Sequence, residues 1–395
     1  MSEAGALREA FRGLFGGGEP RLFRAPGRVN LIGEHTDYND GFVLPMAIDR
    51  GTTVAAAPRA GRVVRVHSLN LKSTAEFDLD RPGPPRRGVW FDYVEGVAQA
   101  LLRRGARLRG ADLVVESDVP SGAGLSSSAA LEVSAGMALA AVSGAPVGPL
   151  ELALAGQEAE HTYVGTKCGI MDQLTSACGR AGHALLIDCR TLQATPIPLD
   201  TTETAVVVCD TRVRHALATS AYNERRADCE RGVELLREVL PDVTALRDVG
   251  VEDLERYGGL LPETVRRRCR HVVTENARTI RAAEALRAGR MDELGRLMWQ
   301  SHESLRDDYE VSCAELDALV EIAAGVRGVA GARMTGGGFG GSTVSLVRRD
   351  ALREFGRAVV SEYTGRFGHA PAVYVSEAGG GAQEITLNAE RGTMN

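Results

Sequence analysis

Residues 120–130 read PSGAGLSSSAA. The segment follows the strand-like run ADLVVESD (111–118) and opens an Ala-rich helical stretch that extends to about residue 142. Gly122 and Gly124 permit backbone conformations that expose N–H groups, and a helix N-terminus adds partial positive charge. Together they make an anion site fit for phosphates without any lysine. Ser126, Ser127 and Ser128 add hydroxyls for phosphate oxygens or a magnesium ion. A glycine turn with a serine N-cap explains one serine, not three in a row. The strand–loop–helix unit therefore reads as a phosphate loop.

Upstream, residues 25–41 read APGRVNLIGEHTDYNDG. The apolar residues Val29, Leu31 and Ile32 precede Glu34-His35-Thr36-Asp37, so a strand delivers a polar cluster to one place. Ionised carboxylates accept strong hydrogen bonds from O–H donors, which suits a small ligand rich in hydroxyls. A charged surface turn is the plainer alternative. Downstream, GIMDQLTSACG (169–179) places Asp172 beside Ile170 and Met171. Alone, a half-buried Asp more often caps a helix or pairs with an Arg. MTGGGFGG (334–341) lies between two expected strands, and so many glycines point to a close approach of backbone to a ligand.

The whole chain narrows the classes. Its 395 residues exceed one core and predict two lobes. A net charge of −6 argues against a nucleic-acid or membrane-surface protein. The basic run RRRCR (266–270) sits in a helical pattern and reads as a solvated face. Seven cysteines without metal-ligand spacing read as reduced, mostly buried thiols of a cytoplasmic protein. No targeting signal and no membrane span is recognisable. The only lysines, Lys72 and Lys167, lie outside any GK[ST] or VAIK context, which excludes the P-loop and protein-kinase plans.

Periodicity predicts an N-terminal α+β lobe over residues 1–200 and a C-terminal α+β lobe over 201–395. Strands are expected at 50–57 and 62–67, paired with each other across a turn, and at 75–79, 111–118, 183–188 and 204–210. Helices are expected at 3–15, 90–104 and 150–163, and then at 217–238, 250–256, 262–288, 290–305 and 312–325. Strands return at 330–335, 342–347 and 371–376, with a helix at 349–364.

Residues 25–41, 121–130, 169–173 and 334–341 together resemble the GHMP kinase superfamily, and within it the galactokinase family. The resemblance continues through HALLIDCR (183–190), RHALATSAYNERR (214–226) and SLRDDYEVSC (304–313), and so covers most of the chain. It implies a two-lobed fold with the active site in the cleft between lobes. It implies ATP-dependent phosphorylation of D-galactose at the C1 hydroxyl, with Mg²⁺ as cofactor, by a monomer with no nucleic-acid or membrane partner. Carried over residue by residue, Glu34, His35, Thr36, Asp37, Gly169 and Tyr222 would form the sugar pocket. Gly122, Ala123, Gly124, Leu125, Ser126, Ser127 and Ser128 would wrap the ATP phosphates, with Ser68 as a further nucleotide contact. Ser128 and Glu160 would hold Mg²⁺. Asp172 would take the proton of the C1 hydroxyl, and Arg28 would stabilise charge on the moving phosphoryl group. Two alternatives share these motifs: a kinase for N-acetylgalactosamine, and a sensor that binds ATP and galactose without turnover. The complete GLSSSAA loop, with Arg28 and Asp172 both present, favours an enzyme.

Overall fold

The structure, a computed structural model, describes residues 3–16, 18–214 and 218–386. Residues 215–217 of the segment 214–226 lie outside the described residues. Helix α1 (Glu3–Phe15) precedes strands β1 (Arg21–Asn30), β2 (Phe42–Val43), β3 (Pro45–Pro58), β4 (Val63–Ser68) and β5 (Ser73–Asp78). Then come α2 (Asp92–Arg103), β6 (Ala111–Ser117), α3 (Ser127–Ser143), α4 (Pro149–Ala159) and α5 (Met171–Cys178). Strands β7 (His183–Asp188), β8 (Gln193–Pro198) and β9 (Thr204–Arg214) lead into a helical block. That block is α6 (Ala218–Leu236), α7 (Val251–Tyr257), α8 (Glu263–Arg287), α9 (Met291–Ser304) and α10 (Ala314–Gly325). The chain closes with β10 (Val329–Thr335), β11 (Gly340–Arg348), α11 (Leu352–Phe367), β12 (Ala372–Ser376) and β13 (Gln383–Ile385).

The first sheet has the order β13-β1-β3-β6-β4-β5. Successive strand residues point to opposite faces, so both faces can be buried. Leu22, Ala55 and Val114 meet Leu7 and Phe11 of α1. Phe23, Val54, Ala56, Leu113 and Val115 meet the apolar sides of α2, α3 and α4. The second sheet, β10-β11-β9-β12, divides the same way. Val206, Val208, Val344 and Leu346 face α8 and α9, while Val207, Cys209 and Val347 face α10 and α11. One core cluster joins the lobes, since Val29, Leu31, Leu44, Val119 and Leu125 pack in continuity with Val206, Leu286 and Leu297.

The expected hairpin of residues 50–57 with 62–67 does not form. β6 lies between β3 and β4, antiparallel to the first and parallel to the second. The connecting turn is held open by Gly110, which accepts from Arg59 N–H and donates to the Gly61 carbonyl. The run ADLVVES of β6 is mostly buried and needs a partner on each edge, and this outweighs the short local connection. The basic run 266–270 is a solvated face only in part: Arg266 and Arg270 keep about two fifths of their side chains exposed, but Arg268 turns inward. Arg268 is 2% exposed and bonds Glu310, while Arg267 and Arg270 pair with Glu310 and Asp308. All seven cysteines are free thiols. Among the described residues, no helix is long and apolar enough to cross a membrane.

Candidate active site

β1 carries Arg28 to the junction of the lobes. Its register against β3 shifts between Pro26 and Arg28, and the Arg28 N–H donates to the Leu125 carbonyl at 3.1 Å. This ties the strand directly to the phosphate loop. Arg28 Nε donates to Asp172 Oδ1 and Nη2 to Oδ2, both at 2.8 Å, while Nη1 donates to the Gly124 carbonyl at 2.6 Å. Asp172 lies in the first turn of α5. The Ser126 hydroxyl donates to Asp172 Oδ2. Ser126 occupies the N-cap position of α3 yet makes no side-chain cap bond. Its φ of 59° is left-handed and costs about 1–2 kcal/mol in a non-glycine residue. The strained backbone aims its hydroxyl at Asp172, leaving the α3 amides uncapped by a side chain at the cleft.

Downstream of β1, the fully buried Leu31 and Ile32 anchor the polar loop. Glu34 is 2% exposed, and its Oε1 is held from the opposite lobe. It accepts from Gly336 N–H at 2.7 Å, from the Thr335 hydroxyl at 3.0 Å and from Arg333 at 3.4 Å. Gly33 N–H donates to Glu275, whose carboxylate is pulled down to about 2, against the cost of burial, by Arg278, His271 and Arg333. His35 is buried and held well below the usual imidazole range, chiefly by desolvation. Its Nδ1 bonds the Tyr38 hydroxyl at 2.7 Å, while its Nε2 has no partner. Asp37 is pushed up to about 7, first by burial and then by the negative charges of Asp172 and Glu34.

Arg28, Glu34, His35, Asp37, Asp172 and Tyr222 line one cleft of about 440 Å³ together with Gly122, Gly124, Leu125, Ser126, Ser127, Ser128 and Glu160. Four expected residues stand elsewhere. The Thr36 hydroxyl lies within hydrogen-bonding distance of the Gly33 and Phe42 carbonyls, so it braces the loop. Ala123 is fully buried and its carbonyl accepts from Ser342. Gly169 sits beneath Asp37, where a Cβ would come within 2.0 Å of the carboxylate. Ser68 lines an adjoining hollow of about 460 Å³, walled by Leu71, Trp90, Val115 and Leu131, that shares Tyr93, Ser121, Ser127 and Ser128 with the cleft. Thus a chamber lined by several charged side chains and one lined almost wholly by neutral ones meet at the loop 121–128.

Tyr93, Trp90 and Leu71 of these walls went unnoticed in the sequence, because lone aromatic and aliphatic residues carry no local signature. Arg214 was missed as well. Its guanidinium bonds Asp210 and the Ser121 carbonyl, and it occupies the space a side chain at Gly122 would need. The second glycine cluster packs against the first. A Cβ on Gly336, whose φ is +84°, would meet the Gly124 carbonyl at 2.9 Å. Gly336 and Gly337 also line the cleft.

At the far end stand more carboxylates. Glu160 is pushed up to about 7 by burial, against a hydrogen bond from Ser128, with the charge of Asp172 adding to the rise. Glu132 is buried, and its carboxyl is raised well above the usual range by desolvation and by Glu160. Crowded acidic oxygens beside a serine hydroxyl suit a hard divalent cation, which takes oxygen ligands and keeps several waters. Among the described residues no group of three His, Cys, Asp or Glu forms a closed metal site, so phosphate oxygens and water would complete the shell.

Known families match this geometry. The galactokinase galactose-binding signature matches residues 9–58, the N-terminal domain of GHMP kinases residues 92–180, and their C-terminal domain residues 282–365. A galactokinase of Chloroflexus aggregans is 54% identical over 390 residues, covering 99% of this chain and 100% of its own. A galactokinase of Roseiflexus sp. is 48% identical over 389 residues, with 98% and 99% covered. Among solved structures, Lactococcus lactis galactokinase complexed with galactose superposes with a TM-score of 0.94 at 38% identity, covering 97% of this chain and 100% of that one. Methanococcus jannaschii mevalonate kinase shares the fold at 18% identity, with a TM-score of 0.63 over 92% of this chain and 99% of its own.

Proposed function

This chain belongs to the galactokinase family, and we propose that it transfers the γ-phosphoryl group of ATP to the C1 hydroxyl of D-galactose, giving α-D-galactose 1-phosphate and ADP. One observation carries this reading. A loop of hydroxyl-binding groups, the Arg28–Asp172 pair and the N-terminus of α3 converge on one cleft.

The sugar enters the chamber lined by charged side chains. Asp37, the remaining oxygen of Glu34 and His35 Nε2 meet its hydroxyls, with Tyr222 closing one side. ATP lies across residues 122–128, its phosphates at the α3 amides and serine hydroxyls and its base toward Ser68 and the adjoining hollow walled by Leu71 and Trp90. Ser128 and Glu160 would hold Mg²⁺. When bound, the ion supplies charge neutralisation for the phosphates and a fixed orientation of the terminal group.

Asp172 orients the acceptor. A carboxylate has about four acceptor sites. Arg28 and Ser126 fill three of them, which leaves one on Oδ1 for the C1 hydroxyl. Its proton passes to that oxygen as the new O–P bond forms and the bond from the γ-phosphorus to the bridging oxygen breaks, releasing ADP. The transition state of phosphoryl transfer is loose, so strong basicity is not required of Asp172. Arg28 holds the carboxylate in place and adds positive charge beside the transferring group.

Several further points follow from the same reading. Residues 1–200 and 201–395 act as two lobes that meet on the cleft, with β13 crossing back to the first sheet. Both halves of the site come from one chain, which supports a monomer. Free thiols at all seven cysteines suit the reducing cytoplasm. The test is ADP release with Mg-ATP and a panel of galactose, N-acetylgalactosamine, glucose and mevalonate. Galactose-dependent release is expected, and folded protein that releases no ADP with galactose would sink the proposal. Asp172→Asn should lower kcat by about 10²-fold or more, while near-normal turnover would remove Asp172 from the chemistry.

A further inference from the structure

Behind the sugar loop, four side chains form a continuous hydrogen-bonded row. His35 Nδ1 lies 2.7 Å from the Tyr38 hydroxyl, and that hydroxyl lies 2.7 Å from the Tyr309 hydroxyl. The Tyr309 oxygen in turn lies 3.2 Å from Cys229 Sγ. Tyr309 is 0% exposed, Cys229 1% and His35 4%. The buried Asn39 holds the backbone of the row, its side-chain amide donating to the His35 carbonyl at 3.0 Å. The rings are packed as well as bonded, with Tyr309 tilted against His35 at 4.7 Å and against His271 at 4.6 Å. At the other end of the row, His35 Nε2 is buried and unpartnered, and His35 is one of the residues that line the cleft.

We infer that Tyr38, Tyr309 and Cys229 are positioning residues that fix His35 as the Nε2–H tautomer, so that it donates a hydrogen bond to a sugar hydroxyl. Each phenol carries one proton, so the row can run in only two senses. In one sense Cys229 S–H donates to Tyr309, Tyr309 to Tyr38 and Tyr38 to His35 Nδ1, leaving Nε2 with the proton. In the other, every proton is reversed and Nε2 becomes an acceptor. The cleft decides between them. Glu34 and Asp37 accept hydrogen bonds, so a hydroxyl that donates to either still has lone pairs to satisfy. A third acceptor at His35 would offer those lone pairs nothing, whereas an Nε2–H meets them.

The inference rests on the sugar-binding reading of the loop, and two independent readouts separate the failures. Histidine-¹⁵N-labelled enzyme reports the ring tautomer by long-range ¹H–¹⁵N correlation without any turnover, with His35→Gln identifying the signal. Wild type is expected to carry the proton on Nε2. Tyr309→Phe keeps the ring packing but removes the relay hydroxyl. It should give a mixed tautomer and raise the galactose KM about 5- to 20-fold, with kcat and the ATP KM changed less than twofold. Cys229→Ser restores a donor and should keep the wild-type tautomer. Should Tyr309→Phe fail to fold, Tyr38→Phe is read in the same way. A wild-type proton on Nδ1, or an unchanged tautomer in the Phe variant, overturns the relay. A shifted tautomer with an unchanged galactose KM overturns its part in recognition. If galactose is not a substrate at all, the kinetic arm is silent and the nitrogen spectrum alone decides the relay.

Discussion

Asp37 concentrates the chemistry of the site in one residue. Its carboxyl rests near 7 because burial and the neighbouring charges of Asp172 and Glu34 oppose ionisation. Below that pH it is protonated and, on the proposed reading of the loop, loses one acceptor for a sugar hydroxyl. The kcat/KM for galactose should therefore rise as pH climbs through about 7, and a profile flat from 6 to 8 would contradict this. Beneath it, Gly169→Ala would place a methyl group within 2.0 Å of the carboxylate. Overpacking of this kind costs about 1–3 kcal/mol, and the expected result is a roughly tenfold or larger rise in galactose KM with a smaller change in ATP KM. Glu160 makes a prediction of stability. Its carboxyl rises from the ordinary 4.5 to about 7 in the folded chain. Between those values the folded state binds more protons than the unfolded one, so stability is gained as pH falls and lost as pH rises. At pH 8, in the absence of Mg-ATP, Glu160→Gln should raise the thermal midpoint by the equivalent of about 1–2 kcal/mol, while lowering turnover. A lower midpoint would mean that the carboxylate stabilises the fold.

At the scale of elements, the site is a set of abutting termini and turns. β1 ends at Asn30, α3 begins at Ser127, α5 begins at Met171 and β10 ends at Thr335. The two glycine clusters touch backbone to backbone, which no chain with side chains at Gly124 and Gly336 could do at this distance. Gly336→Ala adds a Cβ at 2.9 Å from the Gly124 carbonyl on a residue with φ of +84°. It should destabilise the protein by about 1–3 kcal/mol and raise the ATP KM, read from thermal melts and initial rates. A variant with wild-type stability and ATP KM would show that the two loops move independently. The helix and strand patterns of the C-terminal block were legible because 3.6-residue periodicity persists over long segments such as α8. The hairpin of β3 with β4 was misread because strand partners are chosen by burial across the sheet, and β6 arrives from about fifty residues away.

At the scale of the whole molecule, the lobes share one core cluster, in which Val29, Leu31 and Leu125 pack in continuity with Val206 and Leu297. A single cooperative thermal transition is expected, shifted upward by galactose in proportion to RT ln(1 + [L]/Kd). Two resolved transitions would show that the lobes unfold separately. The last strand ties the ends together: β13 pairs with β1, and Arg21 forms a two-pronged pair with Glu384. No sequence pattern marked that three-residue strand, because so short an edge takes its shape from the strand it joins. The sequence by itself determined which groups the site has to offer, since the acids, serines and glycines stand at fixed spacings in two short loops wherever the chain takes them. Only the tertiary structure decided that these loops face one cleft. It also decided that Glu34 is gripped by Arg333, Thr335 and Gly336 from about three hundred residues away, and that His35 is backed by Tyr309 and Cys229. The physical reason is range: local spacing governs turns and helix ends, whereas burial and long-range hydrogen bonding select which distant groups are brought together.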